Sequence, residues 1–269
     1  MDYLSAAASL YSWGLFAGLG LFLSLEWLVP FRLPIQSKFL HAATNLSVGG
    51  INAVVMNVLF AGVLLAWTQR ANSEGWGVLQ YLDIGLAGNM IASVLVFDLI
   101  VYGAHWAHHH IPILWRFHRV HHSDLDLDVT TGLRSHMGEV LVAVGVRAVS
   151  IPIIGPSLLG VVVYELLQML ALQFKHSNIR KPDSLEVRLR RVIVTPKMHR
   201  VHHSRSPLEH NANYGTICSV WDRLFGTYRM RASEEIQFGL VEYPLPDQVG
   251  LVRVLVMPLG QGCRQDPIA

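Results

Sequence analysis

Fourteen histidines in a chain of 269 residues are the side chains best placed to do chemistry, and seven of them lie between His105 and His122. Three clusters share a spacing: His105 with His109 (or His108), His118 with His121 and His122, and His199 with His202 and His203. Residues three and four apart lie on one face of a helix, so each cluster is expected to aim its rings in a single direction. Neutral imidazole is the commonest protein ligand for iron, zinc, copper and nickel. Eight such donors exceed what one first-row ion needs and suit two, with coordination left open for a substrate. The clusters contain no carboxylate, unlike soluble di-iron bundles with their Glu and Glu-x-x-His ligands. A shell of neutral imidazole leaves the ions' charge uncompensated, which favours an anionic oxygen ligand between them.

The rest of the chain must position these rings, and its composition says in what medium. Hydrophobic residues are 52% and charged residues 15%, against about 25% charged in a soluble domain, and the mean hydropathy is +0.37. This is the composition of a membrane protein. A formal charge of +2 does not suggest nucleic acid as a partner. Two cysteines, Cys218 and Cys263, supply neither a disulfide framework nor a thiolate cluster.

Leu10 to Phe31, Leu46 to Trp67 and Ile84 to Ala104 are each apolar enough to span the hydrocarbon, which takes about 20 helical residues. The first basic residue, Arg32, follows the first apolar run, so a cleaved signal peptide is not expected. Val140–Ile154 and Ser157–Phe174 read as a membrane hairpin turned at Gly155-Pro156. Arg147 and Glu165 fall at similar depth in its two arms and are expected to pair, because an unpaired intramembrane charge is costly. The alternative is a half-inserted hairpin with Arg147 among headgroups. Lys and Arg concentrate in the loops bearing the clusters, with nine against two acids from Lys175 to Arg205. That bias puts the N-terminus outside and every cluster on the cytoplasmic side. Leu185, Leu189, Val192 and Ile193 recur at helical spacing among basic residues, as in an amphipathic helix on the inner leaflet or one covering the protein's own core. Thr195-Pro196 reads as the cap and first residue of the third cluster's helix, and Pro112 as the opening of the second's. Trp106, Trp115 and Trp221 are expected as interfacial anchors, and His41 and His210 as surface or interfacial histidines.

Asp98, Tyr102, His105 and His109, followed by Leu-Trp-Arg-Phe-His118-Arg-Val-His121-His122-Ser, resemble the fatty acid hydroxylase/sterol desaturase superfamily of membrane di-iron oxygenases. So do Thr195-Pro-Lys-Met-His199-Arg-Val-His202-His203-Ser, Asn213-Tyr214-Gly215 and Trp221-Asp-Arg-Leu-Phe-Gly-Thr-Tyr228. The resemblance covers roughly residues 98–228. It implies His105, His109, His118, His121, His122, His199, His202 and His203 as ligands, and favours His109 over His108. It adds His136 and His176, although this chain reads His136-Met-Gly-Glu139 where the family often has His-Pro-x-Glu. Asp98, two helical turns before His105, is expected to accept the free ring N–H of a ligand or else to reach the interface; Asn213 is expected behind the ligands as well.

The expected fold is all-α, an integral membrane helical bundle under a cytoplasmic histidine-rich helical cap. Residues 1–97 would be N-terminal membrane helices, 98–232 the catalytic domain and 233–269 a tail. The resemblance implies two iron ions using O2 to hydroxylate or desaturate a lipid, whether sterol, fatty acyl or isoprenoid. Electrons would come from a separate protein, since no flavin, haem or iron–sulfur motif is present. The basic Lys175–Arg205 surface would receive that donor or anionic headgroups. A metal transporter would hold its ligands at mid-membrane, and a zinc hydrolase would need three ligands or HExxH, so both fit less well.

Overall fold

A computed structural model describes residues 3–60, 62–231 and 236–260. Cys263 and the expected domain boundary at 232/233 lie outside them. The chain is 69% helical and has no strands among the described residues, only isolated bridges such as Ile193 with Cys218.

The long helices are α1 (Tyr3–Leu28), α2 (Lys38–Phe60), α4 (Gly85–His110), α6 (Met137–Ile154) and α7 (Leu158–His176), with the shorter α3 (Val63–Ser73) between α2 and α4. Four of them, α2, α4, α6 and α7, are long and apolar enough to cross a membrane. They turn side chains such as Ile91, Leu95, Val149, Ile153 and Leu170 outward, the arrangement of helices solvated by lipid. α1 is not among the four, although it exposes Leu10, Trp13, Phe16 and Leu21.

One expectation is corrected here. The uncharged run Leu46–Trp67 is not one span. It is divided between α2 and α3, and Gly62 precedes α3 with φ 75°, a left-handed conformation that an L side chain resists. α6 ends at Gly155, also left-handed (φ 69°), and α7 begins two residues after Pro156 behind the cap of Ser157, whose Oγ accepts from Gly160 N. At this turn Gly77 approaches so closely that a Cβ there would lie 2.1 Å from Gly155 N. α7 is the central post, packed against α4 on one side and α1 on the other, while α6 packs on α3. A core of Phe97, Ile151, Ile154, Val161 and Tyr164 fills the space between, with Phe97 stacked on Tyr164 at 5.1 Å.

The short helices carry the second and third histidine clusters. α5 (Pro112–His122) opens on Pro112, and α9 (Pro196–His202) on Pro196 with Thr195 Oγ1 accepting from Met198 N. α8 (Asp183–Leu189) does not cover the core with its leucines. Its buried residue is Glu186, which accepts from Thr195 Oγ1 at 2.5 Å and forms an ion pair with Lys181 Nζ at 2.6 Å, leaving Leu185 and Val187 exposed. Two one-turn helices, α10 (Pro207–His210) and α11 (Val220–Leu224), follow, and α12 (Leu251–Val256) packs back on α2.

Candidate metal centre

Nine histidines converge in two adjacent groups. His105, His109, His118, His122 and His202 form one, and His121, His176, His199 and His203 the other; within each, the nitrogens available as ligands all lie within 4.8 Å of one another. All but His105 are buried. The groups touch, with His122 stacked on His203 at 4.6 Å and His202 and His203 centred 5.5 Å apart.

The helical repeat explains how the members sort. At 3.6 residues per turn, residues i and i+4 are nearly eclipsed while neighbours diverge by about 100°. His105 and His109 share the first group, as do His118 and His122, whereas His199 and His203 share the second. The middle histidine of each HxxHH cluster crosses over, His121 to the second group and His202 to the first. The single direction expected of each cluster is therefore wrong for two of them. Each HxxHH segment serves both groups.

The protons on these rings are fixed from behind. His105 Nδ1 donates to Tyr214 O at 2.7 Å, His202 Nδ1 to Ala212 O at 2.8 Å, and His176 Nδ1 to Leu172 O at 2.7 Å. A carbonyl can only accept, so Nδ1 carries the proton and Nε2 presents a bare lone pair. His118 Nδ1 donates to the Glu139 carboxylate at 2.9 Å, with the same result. Yet His105 Nε2 lies 3.2 Å from His118 Nε2, two lone pairs facing each other with no proton between them. The bare Nε2 of His176 lies 3.1 Å from Nε2 of His121 and 2.9 Å from that of His199, two rings whose Nδ1 atoms are buried without a partner. Nε2 of His109, His122 and His202 is buried with no partner. Converging, desolvated lone pairs repel unless a cation lies among them. The donor set fits metal ions.

Outside the membrane helices the rings are poised to stay neutral. Burial pushes His121 down to about 3, helped by the neighbouring His118. Burial also holds His118, His122, His199, His202 and His203 well below the ordinary 6.5, with neighbouring histidines adding to it. A folded value below the unfolded one means that the unfolded chain binds more protons in the window between them. Stability is therefore complete above about pH 6.5 and falls as pH drops below it. One unit below 6.5 the loss is about 1.4 kcal/mol for each such histidine, and six together approach the 5–15 kcal/mol stability of a typical fold. Metal-free protein in detergent should thus melt at steadily lower temperature from pH 7 to pH 5, and bound metal should raise the melting temperature at each pH without flattening that slope, because the site binds metal without releasing protons. A metal-free melting temperature independent of pH across this range would contradict the arrangement.

Several expected residues take other places. His136 joins neither group. It caps α6, its Nδ1 accepting from Gly138 N at 3.0 Å and its Nε2 donating to Leu255 O at 3.2 Å, so both nitrogens are occupied by backbone. His108 also stands outside both groups, with Nδ1 donating to Ala104 O. Asp98 does not reach a histidine. Its carboxylate accepts from Ile217 N, Cys218 N and Trp221 Nε1 at 2.8–3.0 Å, anchoring the loop that carries Tyr214. Trp221 is thereby tied to Asp98. Asn213, at φ 55°, donates to Met198 O and accepts from Arg229 N, bracing the end of α9. Trp115 is buried against His109, His122 and His210, and Trp106 stacks on His110.

His41 and His210 are not surface residues. His41 is buried with Nε2 2.8 Å from Asp124 and Nδ1 3.2 Å from Asp128. The same network includes Asn45, Thr131 and the buried Arg134, which bonds Asn45 Oδ1, Ser123 Oγ, Val120 O and Val249 O. It pins the end of α5. His210 is buried, stacked on Trp115 at 5.5 Å, with neither ring nitrogen bonded. Glu139, Asn211 (Oδ1 accepting from His109 Nδ1 at 3.2 Å) and Asp222, which accepts from Tyr214 N, Gly215 N and Thr227 Oγ1, were not anticipated as supports. Glu139 had a visible signal, since it closes the His136-Met-Gly-Glu139 pattern. Asp222 stood in the Trp221–Tyr228 motif without a role.

A membrane bundle holding a double, nearly carboxylate-free histidine centre at the end of its spans defines a class of membrane metalloprotein. Residues 90–227 match the fatty acid hydroxylase family, and the chain belongs to it. It is similar to the alkylglycerol monooxygenase of Xenopus tropicalis, 31% identical over 153 residues, which is 54% of this chain and 32% of that protein. The alkylglycerol monooxygenase of Homo sapiens is 29% identical over 52% of this chain and 31% of its own length. The ornithine lipid hydroxylase of Rhizobium tropici is 30% identical over 144 residues, 53% of this chain and 42% of that protein. The match with the alkylglycerol monooxygenases thus spans about a third of their length. No solved structure matches the chain significantly.

Proposed function

We propose that this protein is a membrane-bound, non-haem di-iron oxygenase that hydroxylates a lipid with O2 and electrons from a separate donor protein. One observation carries the reading: nine histidines converge in two groups, and in the first of them His105 and His118, whose tautomers are fixed by Tyr214 O and Glu139, turn bare lone pairs on each other at 3.2 Å. The relatives' names favour oxygen insertion over desaturation, since both are called monooxygenase or hydroxylase of a lipid. When bound, two iron ions would supply the reduction of O2 needed to break an unactivated C–H bond.

The chain's own part is positioning and exclusion. His105, His109, His118, His122 and His202 would hold one ion and His121, His176, His199 and His203 the other. Tyr214 O, Ala212 O and Leu172 O keep the protons of His105, His202 and His176 on the outer nitrogens, so no proton must leave before a metal binds. Glu139 sets a negative charge behind His118, making it the more basic donor. Burial of eight of the nine rings keeps bulk water from the centre, which limits wasteful side reactions. The Lys/Arg bias of the loops supports a cytoplasmic centre and an external N-terminus. Exposed Arg188 and Arg191 support either a docked acidic donor or headgroup contact. A transporter would want its ligands at mid-membrane, and nine histidines are a surplus for a zinc hydrolase.

The test is expression with iron and a competent reductase, followed by mass spectrometry of host lipids against a His121→Ala chain. A lipid species heavier by one oxygen atom, present only with the parent chain, is the expected result. A species lighter by two hydrogens would replace hydroxylation with desaturation. Identical extracts across sterols, acyl chains and ether or amino-acid lipids would remove the enzymatic reading.

A further inference from the structure

The loop after the third histidine cluster makes an unusual excursion. Asp98 and Tyr102 lie twelve and eight residues before the end of α4 at His110. At 1.5 Å per residue that is about 18 and 12 Å back along the axis. A hydrocarbon layer of about 30 Å counted from Gly85 takes in roughly 20 residues, so both fall within it. Yet Asp98 accepts from Ile217 N, Cys218 N and Trp221 Nε1. On the far side of α11, Tyr102 OH bonds Thr227 Oγ1 at 2.8 Å and its ring stacks on Phe225 at 5.2 Å. Both ends of the segment 217–227 are therefore fastened to a membrane helix at hydrocarbon depth.

Non-helical backbone survives at that depth only if its polar groups are satisfied by protein, and here they are. Besides the Asp98 bonds, Thr227 N and Tyr228 N donate to Asp222 O, and Thr227 Oγ1 to the Asp222 carboxylate. What the excursion turns outward is mostly apolar. Leu224 is 66% exposed, Phe225 54% and Val220 46%, and Val192, whose carbonyl accepts from Ser219 N, is 67% exposed beside them. Arg223, within the segment, is also exposed, but its guanidinium is tied to Ser219 O and Arg190 O and lies over Tyr228. Exposed Arg188 and Arg191 border the patch on the side of Val192.

We propose that Val220–Phe225, with Val192, is a membrane-inserted wedge. Its apolar side chains sit in the hydrocarbon edge of the leaflet nearest the histidine groups, and Arg188 and Arg191 lie among that leaflet's headgroups. The occupant of the surface is lipid, because the patch is fastened to the membrane helix α4 through Phe225 on Tyr102 and combines apolar tips with basic neighbours, the pattern of interfacial anchors. The loop that holds His105 and His202 through Tyr214 O and Ala212 O runs directly into this wedge. The inference rests on α4 crossing the bilayer and not on metal content or on the reaction.

The test uses the full chain with Cys218 and Cys263 replaced by serine, reconstituted in vesicles of phosphatidylethanolamine and phosphatidylglycerol. Nitroxide labels are placed at Leu224→Cys and Phe225→Cys, with exposed Asp247→Cys as the aqueous reference. Power saturation compares collisions with oxygen, which partitions into lipid, and with water-soluble chromium oxalate. Both wedge labels are expected to favour oxygen over chromium oxalate by several-fold, with the reverse at Asp247→Cys. Chromium accessibility equal to the reference would overturn the proposal, and so would exclusion of both reagents, which signals a covering protein or second copy. Bimane at the same positions, quenched by brominated lipid chains, gives an independent reading should one variant fold poorly.

Discussion

Iron content should fall by about one ion per chain in His121→Ala and by less in His122→Ala, although the two histidines are neighbours. His121 is one of four donors in its group, so its loss leaves three neutral rings; His122 is one of five, so its loss leaves four. Removing groups that merely orient a ligand costs 10–100-fold in affinity or activity. Loss of a ligand itself from the smaller group should cost at least about 100-fold in affinity there, against about 10-fold for His122→Ala. Product formation should collapse in His121→Ala, because the proposed reduction of oxygen would use both ions. Iron titration with Mössbauer spectra of the two subsites reads the difference. Equal loss in both variants, or loss of both ions in each, would mean that the nine histidines do not divide five and four.

Much of this centre was legible because its signals are local. HxxHH repeated at residues 118–122 and 199–203 is chemistry written within one helical turn, and the long apolar runs announce the medium. The misreadings have physical causes. Treating HxxHH as a single face ignored the 100° between adjacent residues, which sends His121 and His122 to different groups. His41 and His210 looked incidental because a lone histidine carries no local pattern, while the partners of His41, Asp124 and Asp128, lie more than eighty residues away. His136 shared the family's spacing, but it stands where α6 begins and its ring caps that helix. Asp98 was expected to accept from a ligand histidine or to reach the interface, and its carboxylate holds a returning loop instead. Its donors, Ile217, Cys218 and Trp221, sit in a loop whose return to α4 no periodicity reveals. The break at Gly62 was invisible to apolarity, which measures lipid compatibility and is blind to a left-handed residue.

Arg147 and Glu165 provide the largest expected effect on stability. Arg147 Nε donates to Glu165 Oε1 at 2.6 Å, a second bond reaches Glu165 Oε2 at 3.3 Å, and Gln168 Oε1 accepts from Arg147 Nη2. The pair bridges the two arms of the hairpin at similar depth. Water is scarce there, so the charges cannot be screened as a surface pair would be. Glu165→Ala leaves a guanidinium with the Gln168 carbonyl oxygen, the Tyr164 ring and Tyr11 about it but no carboxylate partner, and breaking a buried pair from one side costs about 3–5 kcal/mol. The double replacement Arg147→Met with Glu165→Leu removes both desolvation penalties, and such exchanges are often neutral or stabilising. Thermal unfolding in detergent should therefore show Glu165→Ala and Arg147→Ala each strongly destabilised and the double variant close to the parent. Additive losses in the double variant would indicate that each side chain is held by its own surroundings. Restored stability with unchanged iron content would show that the pair serves the membrane hairpin alone, since neither residue touches a histidine of either group.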